Sequence, residues 1–163
     1  MLTDARLADT LGRQSFGATL RAWESLPALS DLLLGEAWTG EERGRNAALA
    51  HLRRDLTFPV GAVVRTYAEV YGLAASAGVI RYHASYQLLK TGNVERDLAR
   101  AEWPDAVSFE FDRQVPGANA PFVPEALDID PQRLPAGRYL LRLVVRDGTG
   151  SAVGRATIAF EVR

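Results

Sequence analysis

Beyond residue 60, apolar residues recur at every second position, the spacing of half-buried strands whose alternate side chains face opposite sides of a sheet. Tyr139, Leu141, Leu143 and Val145 share one face of a run whose other face carries Leu140, Arg142, Val144 and Arg146. Asp147, Gly148, Thr149 and Gly150 then supply tight-turn residues, and the return strand alternates Ala156, Ile158, Phe160 and Val162 against Arg155, Thr157 and Glu161. Upstream, Ile80, Tyr82, Ala84, Tyr86 and Leu88 oppose Arg81, His83, Ser85 and Gln87, and Val107, Phe109 and Phe111 alternate with Ser108, Glu110 and Asp112. A further run places Val64, Thr66, Ala68 and Val70 on one face and Val63, Arg65, Tyr67, Glu69 and Tyr71 on the other, which reads as a central strand. Residues 74–78 are small and close that strand onto the next as a hairpin, while the Pro- and Gly-rich residues 116–124 read as a loop before a short strand at Leu127 and Ile129.

The first sixty residues are less periodic. Residues 16–23 and 29–38 are assigned as strands and 40–55 as a loop or one short helix; residues 4–11 have helix-compatible spacing. About seven to eight short strands with frequent turn signals predict an all-β, immunoglobulin-like antiparallel β-sandwich over residues 16–163, preceded by an N-terminal extension over 1–15.

Leu134, Pro135, Ala136, Gly137, Arg138 and Tyr139, followed by Val144, Val145, Arg146 and Asp147, resemble the start of a late strand in many immunoglobulin-like domains, with Gly137 making the corner and Tyr139 as the tyrosine of a tyrosine corner. With residues 29–34 and 66–73 in the same order, the chain resembles the C-terminal β-sandwich region of bacterial GWxTD-domain proteins over roughly residues 16–163. The Gly-Trp-x-Thr-Asp motif itself is absent, since Ala37, Trp38, Thr39 and Gly40 do not match it, so only the sandwich is carried over. The resemblance implies an accessory domain of an exported, envelope-associated protein rather than an activity.

Nineteen basic and twenty acidic residues are interspersed and leave a net charge of −1, so no one-signed field exists to attract nucleic acid. No apolar run reaches the length of a membrane span, so direct membrane insertion is not expected. The absence of cysteine excludes a disulfide framework, a thiolate nucleophile and a Cys-based zinc site.

Candidate chemistry is sparse. His51 and His83 are the only histidines, and His83, mid-strand between Arg81 and Ser85, reads as solvated or bonded to a neighbour. No catalytic residue, metal or cofactor is assigned. Glu69 shares a strand face with Tyr67 and Tyr71, which is either a carboxylate held by an arginine or a tyrosine hydroxyl, or a platform on which a sugar stacks. Asp128, Asp130 and Asp147 are conceivable calcium ligands, outweighed by a reading as acids on wet strand faces. Trp23, Trp38 and Trp103 read as core caps ahead of an aromatic patch. Leu32, Leu33 and Leu34 in a row point either to a strand buried on two sides or to an apolar edge open to strand addition. The expectation is a non-catalytic structural or interaction module that docks a protein partner or itself near Leu32–Leu34; the alternative is a carbohydrate-type module using Tyr67, Glu69 and Tyr71.

Overall fold

The computed structural model describes residues 26–37, 44–117, 121–130 and 134–163. The strands expected over 16–23, the N-terminal extension, Trp23 and Trp38 lie outside these. The described chain is an all-β sandwich of two sheets. The smaller sheet is centred on β4 (Val64–Tyr71), paired with β8 (Phe122–Ile129) on one edge and with β1 (Ala28–Leu29) and β2 (Leu33–Glu36) in succession along the other. The larger runs β3 (Thr57–Phe58), β10 (Ala152–Val162), β9 (Gly137–Asp147), β6 (Val79–Thr91), with β7 (Val107–Pro116) and the two-residue β5 (Ala75–Ser76) also paired to β6. Among the described residues, seven of the ten strands have four residues or more; the count of seven to eight read from periodicity includes the 16–23 segment, which lies outside them.

The alternation sorts side chains as its period requires. Ile80, Tyr82, Ala84, Tyr86 and Leu88 of β6 and Leu141, Leu143 and Val145 of β9 meet Val64, Ala68 and Val70 of β4 in one core between the sheets. Leu89 and Leu140 point to the opposite face of the larger sheet, where Trp103 covers them in a second, smaller cluster. That cover is the β6–β7 connection, a strap containing the helix α2 (Val94–Leu98), capped by Asn93, whose side chain accepts the Arg96 N–H at 2.9 Å. A second short helix, α1 (Arg45–Ala50), falls within the 40–55 segment, which reads as a loop or one short helix.

Two expectations are corrected. Residues 74–78 do not fold β4 back onto the next strand: β4 and β6 belong to different sheets, and the hairpin is the short β5–β6 pair. The inner faces of both strands are apolar, and only opposed sheets bury both. The proline-rich loop is also shorter than read, because β7 extends to Pro116 and β8 begins at Phe122, with Pro124 inside it opposite Glu69. The Glu69 N–H and C=O bond to Ser30, on the other edge of β4, so the Pro124 nitrogen faces away from β4 and no ladder bond is lost.

The corner read at Gly137 and Tyr139 is formed. The Tyr139 hydroxyl donates to the Pro135 carbonyl at 2.5 Å, its ring stacks on Phe160, and Gly137 has a φ of 151°, in the region that favours glycine.

Candidate functional site

Among the described residues, three buried carboxylates organise the polar chemistry. The first is Glu69, on the outer face of β4. The β1 register, with Ala28 opposite Tyr71 and Leu29 opposite Val70, continues to Ser30 opposite it: Ser30 N–H donates to the Glu69 carbonyl, and the Ser30 hydroxyl accepts the Glu69 N–H, each at 2.9 Å. α1 lies over this face, with Ala47 and Ala48 buried. Its Arg45 donates to both Glu69 oxygens, Nε to Oε1 at 2.7 Å and Nη2 to Oε2 at 2.5 Å, and to the Tyr71 hydroxyl at 2.9 Å. The Tyr67 hydroxyl donates to Oε1 at 2.8 Å, and that of Tyr71 donates to Oε2. Arg45 also sits over the Phe122 ring, 4.9 Å from its centroid.

Burial acts to raise the Glu69 carboxyl pKa, but the hydrogen bonds from Arg45, Tyr71 and Tyr67 prevail and leave it below the ordinary value. Tyr67 and Tyr71 shift upward, first through burial and then because each donates to the carboxylate. The expected trio is therefore assembled, with its carboxylate held by an arginine and two hydroxyls. Tyr67 and Glu69 are buried, so of the three only Tyr71 is partly open to solvent.

The second carboxylate, Glu125 of β8, is one that sequence reasoning misses. It is 2% exposed and points between the sheets with Val123 and Ile129. Its oxygens accept the hydroxyls of Tyr82 at 2.7 Å and Tyr86 at 3.0 Å, and Arg113 of β7 adds two bonds at 2.7 and 3.1 Å. Burial, followed by the charge of Glu125, raises both tyrosine pKa values far above their ordinary range. Position 125 keeps the parity of Val123, Leu127 and Ile129, so the signal in the sequence is an acid on the apolar face of a strand, masked by Pro124 just before it.

The third is Asp97 in the strap, which accepts the Thr91 hydroxyl at 2.6 Å and Arg96 Nε at 3.0 Å. Those bonds lower its pKa. Its carbonyl accepts Trp103 Nε1 at 2.7 Å, and the Trp103 ring lies 3.7 Å beneath the Arg142 guanidinium.

The remaining candidates have local partners. His83 Nδ1 is 3.0 Å from Asp112. Asp128 holds Arg65 through two bonds at 2.5 and 2.6 Å, and Asp147 accepts Thr149 and Ser151 N–H groups within its own turn. Leu32 and Leu34 are core residues and Leu33 is half-buried. The outer edge of β2 is bridged by Leu52 opposite Gly35, and by Arg53 N–H donating to the Leu34 carbonyl. Around Leu34 and Gly35 the edge of β2 is therefore met by residues 52–53 of the chain itself. No family model matches the chain, and no curated protein matches it.

Proposed function

We propose that this domain is a non-catalytic structural or protein-interaction module. The observation that carries the reading is the treatment of the buried carboxylates. Glu69 joins α1 to β4, Glu125 joins β6 and β7 to β8, and Asp97 fastens the strap, each accepting arginine and hydroxyl donors. Acids held this way are committed to binding elements together, whereas a general acid, base or nucleophile keeps an atom free to face substrate. The resemblance of residues 29–34, 66–73 and 134–147 to the GWxTD sandwich region implies the same class of accessory domain.

Conservative replacement tests the reading. Glu69→Gln, Glu125→Gln and Asp97→Asn are each expected to lower the thermal midpoint, because each deletes the charge around which donors are arranged. Residues kept for chemistry behave in the opposite sense, their removal often leaving stability unchanged or higher. Unchanged or raised midpoints across the three variants would contradict the proposal.

A further inference from the structure

The outer face of the six-stranded sheet is divided by charge. Register places Glu110, Ser85, Val144 and Arg155 in one row across β7, β6, β9 and β10, and Asp112, His83 and Arg146 in the next. The acidic side is partly answered by the Asp112–His83 contact. The basic side is not: Arg155 is exposed with no hydrogen-bond or ion-pair partner among the described residues, and Arg146 reaches only the Gly150 carbonyl, at 3.3 Å.

One row further, where Arg142 faces Gln87 and Thr157, the imbalance continues into the protein. Arg142 is 4% exposed and donates to the Ala101 and Arg100 carbonyls at 2.8 and 3.1 Å, but no carboxylate pairs with it and its Nε has no partner among the described residues. Burial lowers its pKa, and the charge of Arg155 lowers it further. The Trp103 ring and the oxygens of Gln87, Ala101 and Arg100 hold this guanidinium, so the open charges on this side of the face are those of Arg146 and Arg155.

We infer that the basic half of this face, centred on Arg146 and Arg155, docks an acidic segment of a partner protein. The inference rests on the interaction-module reading and names its surface. Neighbouring strands lie about 4.8 Å apart, so the patch is about 10 Å wide and suits a few carboxylates carried on a strand or one helical turn. Glu110 and Asp112 flank it at two strands' distance and oppose a long polyphosphate backbone, and the strap closes one end.

The test is fluorescence anisotropy of a labelled oligoglutamate peptide at low ionic strength, with oligothymidylate as a parallel probe and inorganic phosphate as competitor. Saturable peptide binding should weaken about tenfold or more in R146E/R155E, as expected when contacting charges are reversed, with the thermal midpoint unchanged. Reversal of Arg54, exposed outside this face, should have no effect. Absence of saturable binding, equal loss in R54E, tighter binding of oligothymidylate, or full displacement by phosphate would each overturn the inference. So would a concentration-dependent mass abolished by R155E, which would assign the face to a second copy. None of these outcomes alters the stability of the amide variants, so failure of the surface and failure of the module reading are separable.

Discussion

Arg113 on β7 and Glu125 on β8 form a two-bond ion pair, at 2.7 and 3.1 Å, that ties the two sheets together where the chain passes from one to the other. Glu125 is buried and Arg113 is partly open to solvent, so the pair delivers a charge into the core while its partner remains anchored at the rim. Phe111, on the same face of β7, lies under the Arg113 guanidinium at 4.6 Å.

The tyrosines that complete this cluster should be separable from it. Tyr82→Phe and Tyr86→Phe each remove one donor to Glu125 while keeping the ring, at a cost of about 1–2 kcal/mol apiece. The double variant should depart from additivity, because both hydroxyls serve one carboxylate. Urea unfolding of the three variants checks this; strict additivity would mean the two bonds act independently.

The Glu69 clamp should be read out in acid. Its folded pKa lies below the ordinary carboxylate value of 4.5, so its contribution is fully present above that value and is lost as pH falls through the depressed one. The wild type should therefore be more stable than Glu69→Gln at pH 6, and the difference should shrink as pH falls below about 4. Thermal midpoints measured from pH 6 to pH 2.5 test the sign; a difference that widens in acid would contradict the assignment.

Gly35 is required by a close approach rather than by its own dihedrals. A Cβ there would lie 2.5 Å from the His51 carbonyl oxygen, on the segment that bridges the outer edge of β2. Gly35→Ala should cost about 1–3 kcal/mol through this overlap and should accelerate exchange of the Arg53 amide, which bonds the Leu34 carbonyl. Exchange unchanged at Arg53 would show that the bridge adapts.

The strap should open without the sandwich. Trp103→Ala removes the ring under Arg142 and the cover over Leu89 and Leu140. Hydrogen exchange should rise across residues 94–106 while amides of β6 and β9 that pair with each other stay protected. Uniform loss of protection would instead make the strap part of the cooperative core.

Legibility followed period. In β4, β6, β9 and β10, each eight residues or longer with one face on the core, alternation gives both the element and its inward residues; in β8, equally long, Pro124 and Glu125 interrupt the pattern. Partners of a strand were harder: the 74–78 turn reads alike whether the chain doubles back or crosses to the other sheet. α2 is only five residues long, too short to display a helical period, although Asn93 followed by Glu95 and Asp97 is an N-terminal signal. Tyr67, Glu69 and Tyr71 were found because they share a strand face. Arg45 was not, because it arrives from an element 24 residues away. For Leu32–Leu34 the sequence offers two outcomes, and the backbone pairing of Leu34 and Gly35 with residues 52–53 is not legible from it, because those residues show no strand period.

Urea unfolding of Glu125→Gln at neutral pH tests the central claim most directly, because this carboxylate is the most deeply enclosed of the three. A structural clamp predicts a loss of about 2 kcal/mol with an unchanged denaturant slope, since the hydroxyls of Tyr82 and Tyr86 and the Arg113 guanidinium all lose their charged acceptor. A variant as stable as the wild type, or more stable, would mean that Glu125 is held against the fold for some other purpose, and the non-catalytic account would fall.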